Sequence, residues 1–347
     1  MLEEVPTGNV YRFISALFFT NNPISTYITS NPIITFISPE FGRTSMTIKD
    51  KPYWLQKLAT LRIDRARGNP APHKPLLLLV ILEMAEKGEI TGCDLTLAPD
   101  LAFRFSVFWS VVAERRRQPP DVRLPFHHLG SSGIWQPLTA DGKPSPDKKL
   151  TTAIRFDPGF FECVADYDFR DRARRILIET EPYFHPEERV ALCSMLQIRP
   201  AASEIREDKE LYKVSVQTGR DARFRIEVVV LAYKHTCALT GYRMTTREME
   251  SIVDAAHIHQ FHDSRNNDPR NGMALTKNAH WQFDRGLWSL NDDYRVLVNG
   301  EKFIEGGSPG QQLSDFAGRR IFLPGDPKYW PEQSYLEWHR KRHSFIQ

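Results

Sequence analysis

Apolar positions in the first two thirds of the chain recur mainly with a helical spacing. Tyr53–Arg67 alternates apolar and basic residues as an amphipathic helix does. Leu76–Leu82 is a nearly continuous apolar run behind Pro75, and it predicts a buried helix with this proline in its first turn. Leu101–Val112 and Phe169–Leu196 carry further helical patterns. We therefore expect this part of the chain to be mostly helical.

Shorter apolar stretches predict strands. Val122–Leu129 and Ile134-Trp135 flank a Ser-Ser-Gly turn, as the two strands of a small hairpin would. Cys237–Gly241 and Ile252–Ile258 are also short and apolar, and a helical pattern begins at Thr276. The whole pattern predicts an α+β fold, in which a mostly helical N-terminal domain with a small hairpin precedes a strand–strand–helix domain.

The segment 199–215 is the best candidate for a linker, because most of it is polar and poor in apolar residues. We therefore expect a first domain over residues 47–198 and a second over residues 216–347. Residues 1–46 are poor in charge and rich in Ile, Thr, Ser and Pro. We expect them to be an N-terminal extension, either an artefact of the start site or an arm packed on the first domain.

Composition excludes some classes of protein without selecting one. The 347 residues carry a net charge of +3, which permits a nucleic-acid partner but does not require one. No two of the four cysteines form a Cys-x-x-Cys pair, so we expect no disulfide framework, no structural zinc and a reducing, cytoplasmic location. No apolar stretch is long enough to cross a membrane, and we expect no membrane partner.

Residues suited to phosphodiester hydrolysis are concentrated between Cys237 and Leu290. A divalent cation can neutralise the charge that develops on a phosphodiester, while an imidazole deprotonates the attacking water. His257, at the end of a predicted strand, suits the role of the base because the pKa of histidine lies near working pH. His280, on the predicted helix, suits a metal ligand. Asn271 can brace the loop between them and orient the imidazole by hydrogen bonding.

The same segment resembles the HNH endonuclease family, in the branch with Cys-x-x-Thr-Gly, Ala-Ala-His-Ile and His-x-x-Phe-Asp-x-Gly motifs. The matching positions are Cys237, Thr240, Gly241, Ala255–Ile258, Asn271-Gly272, Leu275, His280, Phe283, Asp284 and Gly286. The resemblance spans roughly residues 216–300. It implies a ββα-metal fold that hydrolyses DNA with a divalent ion, Mg²⁺ or Mn²⁺.

One position departs from the family pattern. Many HNH sites have an acidic or histidine ligand immediately before the base, and this chain has Ala256 there. Asp254 and Asp284 are the candidates for the missing ligand, and Asp284 lies one helical turn after His280 on the same face. A purely structural role for either carboxylate is the alternative.

Two motifs of the N-terminal half resemble the DNA sulfur-binding domain of McrA-type phosphorothioate-dependent restriction endonucleases. One is the basic, Pro-rich turn before Leu76, and the other is Leu124–Leu129 with Gly133-Ile134-Trp135. The resemblance covers roughly residues 50–195. It implies that Pro125 forms the wall of an apolar cup for sulfur, with basic residues on the DNA backbone. The predicted basic contacts are Arg65, Arg67, His73, Lys74 and Arg123.

These resemblances together predict a modification-dependent, type IV-like restriction endonuclease that acts on phosphorothioated double-stranded DNA. One alternative is an HNH endonuclease that reads another DNA modification. A second is a DNA-binding module with a degenerate nuclease site, since Ala256 leaves a ligand position empty. A double-strand cut by an enzyme with one site usually needs two copies, so a homodimer is expected.

Overall fold

The computed structural model describes residues 49–64, 69–201, 209–246, 249–308 and 310–345. The predictions for residues 1–46 and for Arg65 and Arg67 lie outside this range. Within it, no helix is both long and apolar enough to span a bilayer. The architecture mixes helices with small antiparallel sheets, as the α+β prediction requires.

Eight α-helices lie in the described part of the chain before residue 201. They are α1 (Lys51–Ala59), α2 (His73–Glu86), α3 (Pro99–Ser110), α4 (Ala113–Arg116), α5 (Arg123–His128), α6 (Pro158–Ala165), α7 (Tyr167–Glu179) and α8 (Pro186–Met195). The run Leu76–Leu82 in α2 is almost completely inaccessible to solvent. Pro75 stands in the first turn of α2, where its missing N–H costs no helical hydrogen bond. The predicted central helix is confirmed.

The N-terminal half also contains a three-stranded antiparallel sheet. Its strands are β1 (Asp94–Thr96), β2 (Trp135–Leu138) and β3 (Ala153–Phe156), in the order β1-β3-β2. The expected antiparallel pair of strands is formed by β2 and β3. The prediction of a strand at Val122–Leu129 was wrong, because helix α5 occupies most of this stretch. The buried positions there are Val122, Pro125, Phe126 and Leu129, and their spacings of three, one and three residues are helical. A short apolar run does not reveal this period by itself.

The C-terminal half begins on a long helix that occupies part of the predicted linker. Its helices are α9 (Lys209–Ile226), α10 (Phe261–Ser264), α11 (Lys277–Asp284) and α12 (Gln333–Arg342), and its strands are β4 (Val253–His257), β5 (Gly272–Thr276), β6 (Trp288–Leu290) and β7 (Val296–Val298). A π-helical turn, Glu227–Ala232, continues α9. The segment 199–215 is therefore not wholly a linker, since α9 starts at Lys209.

Helices α8 and α9 join the two halves at a very close contact. Gly219 of α9 is buried, and a Cβ atom there would lie 2.2 Å from the carbonyl oxygen of Ala191 and 2.9 Å from the nitrogen of Met195. A glycine is required at such a crossing because any side chain would meet backbone. Residues 48–347 form one compact unit, and one cluster of buried apolar side chains runs from Trp54 to Leu336. The division into domains at 199–215 stays a prediction.

Candidate active site

The site is built on β4, β5 and α11. Strands β4 and β5 pair antiparallel, from Val253 opposite Thr276 to His257 opposite Gly272. Helix α11 begins at the residue after β5 ends, and it packs against both strands of the sheet. The ββα unit expected from the sequence is present. Its two strands are β4 and β5, whereas Cys237–Gly241, predicted as the first strand, forms a turn beside an isolated bridge.

The imidazole of His257 is fixed on its faces and at one nitrogen. Its ring stacks on Phe224 with 4.0 Å between the centroids and 10° between the planes, and Phe261 lies 5.5 Å away. Nε2 is 2.9 Å from Oδ1 of Asn267. Burial lowers the pKa of His257, and the hydrogen bond to Asn267 and the carboxylate of Asp221 partly offset this effect. The ring is therefore neutral at physiological pH, as a proton acceptor must be.

Asn271 braces the loop that follows β4. It is completely buried, and its Oδ1 accepts a hydrogen bond from the backbone N–H of His259 at 2.8 Å. Its Nδ2 donates to the carbonyl oxygens of His259 and Asn266 at 3.0 and 3.1 Å. These three bonds perform the loop-bracing role predicted for Asn271. The orienting bond to the imidazole is made by Asn267 instead.

His280 and Asp284 lie one turn apart on α11. Nε2 of His280 is 3.4 Å from Oδ2 of Asp284. Burial raises the pKa of the Asp284 carboxyl, while the imidazoles of His280 and His257 act in the opposite direction. These mutual effects place all three groups within electrostatic reach of one another. The structure therefore brings together His257, His280 and Asp284.

Asp254, the other candidate ligand, is directed elsewhere. Its Oδ1 accepts a hydrogen bond from Nε of Arg225 at 3.0 Å. It also lies three residues before His257 on β4, which corresponds to about 10 Å along a strand. The contact with Arg225 favours the structural role for Asp254, and leaves Asp284 as the candidate carboxylate beside His280.

The donor atoms of the site fit part of a metal shell. In the described ranges, no group of three or more His, Cys, Asp or Glu residues is arranged to hold a metal ion. The His280–Asp284 pair does fit adjacent positions on one ion, because two ligands at about 2.1 Å and a right angle are about 3.0 Å apart. Mg²⁺ commonly keeps several waters and binds through one or two protein groups and a substrate phosphate. A two-ligand site is therefore chemically sufficient for such an ion.

Three of the predicted reader residues, His73, Lys74 and Pro125, line one cavity of about 520 Å³. We call it the reader pocket, and its lining includes His73 and Lys74 of α2 and Leu124 and Pro125 of α5. Burial and the charge of Arg62, which also lines this pocket, lower the pKa of Lys74. Two cations, the carboxylate of Asp64 and an apolar wall thus face the same space.

Two of the predicted contacts differ in character from the rest. His73 is buried, its ring lies 4.5 Å from that of Trp109 with 50° between the planes, and its Nε2 is 3.1 Å from Nε2 of Gln118. Burial lowers the pKa of His73 to about 4, so this ring is a neutral wall rather than a cation. Arg123 lines a separate cleft, together with Lys148 and Asp254.

Sequence reasoning missed several residues at both sites. Arg62 and His128 line the reader pocket. In the sequence, Arg62 belonged only to the helical pattern Tyr53–Arg67, and His128 only to the motif Leu124–Leu129. Asn267 and Asp221 act on His257 from a polar loop and from α9. No motif spacing marks these last two residues, since their proximity depends on how α9 packs.

The site consists of a two-stranded antiparallel sheet that leads straight into a helix. One histidine lies on the sheet, one lies on the helix, and an asparagine braces the loop between them. This arrangement defines an HNH nuclease domain. Residues 237–291 match the family described as HNH endonuclease. This segment is therefore similar to HNH endonucleases, a class that generally uses a divalent metal ion.

One solved structure similar to the chain is described as "Modification dependent TagI restriction endonuclease". The identity is 18% and the TM-score is 0.26, over 35% of this chain and 37% of that chain. No curated protein has a significant match to the chain.

Proposed function

We propose that the protein is a modification-dependent restriction endonuclease. It binds phosphorothioated double-stranded DNA through the reader pocket and cuts the DNA at the HNH site. The observation that carries this proposal is the reader pocket itself, where Lys74 and Pro125 face one cavity, as the resemblance to sulfur-binding domains requires. Because one site cuts one strand at a time, the enzyme acts on duplex DNA as a homodimer.

The chemistry of the reader pocket suits a phosphorothioate. Sulfur is larger than oxygen and a poorer hydrogen-bond acceptor, so it loses less than oxygen does when it is placed against Pro125 and Leu124. Lys74 and Arg62 repel each other across the pocket, and an anion bound between them relieves this repulsion. An uncharged ligand does not relieve the repulsion between the two cations, and a fully hydrated ligand does not gain from contact with the apolar wall.

At the HNH site, His257 removes the proton from the attacking water, which its lowered pKa permits at neutral pH. His280 and Asp284 would hold a divalent cation, Mg²⁺ or Mn²⁺, which supplies positive charge to the scissile phosphate when bound. Asn271 keeps the loop beside His257 in one conformation.

The test compares cleavage of two duplexes of the same sequence, one with a phosphorothioate linkage and one with oxygen throughout. We expect cleavage of the sulfur duplex in Mg²⁺ or Mn²⁺, none with a chelator, and little of the oxygen duplex. His257→Ala should slow cleavage by at least about 100-fold, which is the lower end for loss of a general base. His262→Ala is the matched control, because the side chain of His262 is 88% exposed on the short helix α10.

Equal cutting of both duplexes refutes the proposal that the protein recognises the sulfur. Full activity of His257→Ala refutes the proposal that His257 is the general base. A third duplex with methylated bases separates this proposal from the reading of a modified base. Cleavage of that duplex in preference to the sulfur duplex contradicts the proposal.

A further inference from the structure

A chain of side-chain hydrogen bonds runs from helix α9 to the ring of His257. Nε2 of Gln217 donates to Oδ1 of Asp221 at 2.6 Å, and Nδ2 of Asn267 donates to the same oxygen at 2.8 Å. Oδ1 of Asn267 then lies 2.9 Å from Nε2 of His257. The chain therefore joins two residues of α9 to the imidazole through one loop amide.

The chemistry of the groups sets the direction of this chain. A carboxylate only accepts hydrogen bonds, so Asn267 has to present its NH₂ group to Asp221. Its carbonyl oxygen then faces His257, and that oxygen also only accepts. Flipping the amide would set oxygen against oxygen on one side. Nε2 of His257 is therefore the nitrogen that carries the hydrogen, and the lone pair is on Nδ1.

The surroundings of the ring preserve this arrangement. Stacking on Phe224 at 4.0 Å restricts rotation of the His257 ring out of its plane. Nδ1 makes no hydrogen bond to the parts of the chain that the structure describes, so its lone pair is available to a water molecule. The loop itself is already held by the three bonds of Asn271, and the Asn267 amide is not needed for that purpose.

We propose that Asn267 and Asp221 are positioning residues that hold His257 in the tautomer protonated at Nε2, so that Nδ1 is the atom that accepts the proton. This inference rests on the proposed function, in which His257 is the base. The proton passes from the attacking water to Nδ1, and the electron pair of the broken O–H bond stays on the oxygen. That oxygen forms a bond to phosphorus, the bond from phosphorus to the leaving oxygen breaks, and the leaving oxygen takes a proton from solvent.

Proton transfer leaves a positive charge on the ring, and the chain responds to it. The Asn267 carbonyl faces that charge directly, and the Asp221 carboxylate stands behind it. Both interactions favour the protonated ring, as their upward effect on the pKa of His257 indicates. The carboxylate comes from α9, outside the matched segment 237–291, so the nuclease domain depends on a helix that its motif does not contain.

The experiment measures the tautomer directly and does not depend on cleavage. Protein labelled with ¹⁵N at histidine is examined by long-range ¹H–¹⁵N correlation, which distinguishes the two neutral tautomers by their ring nitrogen shifts. We expect His257 to be protonated at Nε2 in the wild type and to become a mixture in Asn267→Ala. The kcat for DNA cleavage should fall about 10- to 100-fold, the range for residues that orient a functional imidazole, with KM unchanged.

Asp221→Asn is the conservative variant, since it keeps the shape but no longer forces the orientation of Asn267. Compared with Asn267→Ala, it should shift the tautomer population of His257 and lower kcat in the same direction, but by a smaller amount. Asn299→Ala, which removes an amide in the turn after β7, is the control and should change neither. Thermal melting of each variant shows that it is folded.

A wild-type ring protonated at Nδ1 overturns the inference, as does an Asn267→Ala variant with an unchanged tautomer and kcat. The Nε2 tautomer in a wild-type protein that cuts no DNA would instead overturn the proposed function. Because the tautomer is read without substrate, the two failures are distinguishable.

Discussion

His339 shows how a single buried residue supports helix α11. Its ring stacks on Phe283 of α11 at 3.7 Å, and it lies between Oγ of Ser289 at 2.9 Å and the carbonyl oxygen of Phe283 at 3.1 Å. Burial is the main cause that lowers its pKa to about 3. In the unfolded chain the ring takes up a proton near pH 6.5, so between these values the unfolded state binds more protons. Stability from this ring is complete above pH 6.5 and is lost as the pH falls towards 3.

We predict that His339→Gln reduces the acid sensitivity of the fold. Lowering the pH from 7.5 to 5 should cost the wild type about 2 kcal/mol through this ring, and the variant should be spared a loss of that order. Urea denaturation at the two pH values measures the difference. His262→Gln is the control, since His262 is exposed. Equal pH dependence of wild type and His339→Gln would show that the ring is not a buried neutral group.

At the scale of elements, the crossing of α8 and α9 determines where Asp221 and Phe224 stand. We predict that Gly219→Ala destabilises the protein by about 1–3 kcal/mol, the usual cost of overpacking. The new Cβ would meet backbone atoms of Ala191 and Met195, which cannot turn aside as a flexible side chain can. The helices must therefore separate. The shift of the urea midpoint measures the cost.

Gly300→Ala is the matched control for Gly219→Ala, because nothing lies within 4 Å of a Cβ atom at Gly300. It should leave the urea midpoint nearly unchanged. A similar midpoint for both variants would mean that α8 and α9 are not in close contact in solution.

The elements also show where prediction from sequence stops. The helix α2 was predictable because Leu76–Leu82 is long and apolar and Pro75 marks its start. The helix at Val122–Leu129 could not be predicted, because a short apolar run is compatible with a strand until its buried face is known. His280 and Asp284 were predicted to share a face because a helix repeats every 3.6 residues. Asn267 and Asp221 are 46 positions apart, and only packing brings them together.

At the scale of the whole molecule, specificity has to come from a few local charges. A net charge of +3 over 347 residues gives weak general attraction to DNA, so under the proposed function we expect the cations of the reader pocket to carry much of the selective binding. Residues 48–347 form one compact unit, which contains both the reader pocket and the HNH site. The residues that line the pocket include none of those that contact His257, so a change in the pocket should alter which DNA is held without altering the chemistry at His257.

We predict that Lys74→Ala weakens binding of phosphorothioated DNA more than binding of oxygen DNA. It should lower the slope of log affinity against log salt by about 1, as expected for one lost phosphate contact. The kcat for the sulfur duplex at saturation should stay unchanged, because Lys74 lines the reader pocket and not the HNH site. Binding titrations at several salt concentrations and saturation kinetics measure these quantities.

Lys143→Ala is the control for Lys74→Ala, since Lys143 is exposed and paired with Asp141 at 2.9 Å. It removes the same charge from the chain as a whole, so any effect of net charge alone should appear equally in both variants. Equal weakening of sulfur and oxygen DNA by Lys74→Ala would mean that this lysine holds the backbone without reading the modification. Discrimination would then have to come from the apolar wall at Pro125, and Pro125→Gly rather than Lys74→Ala would abolish it.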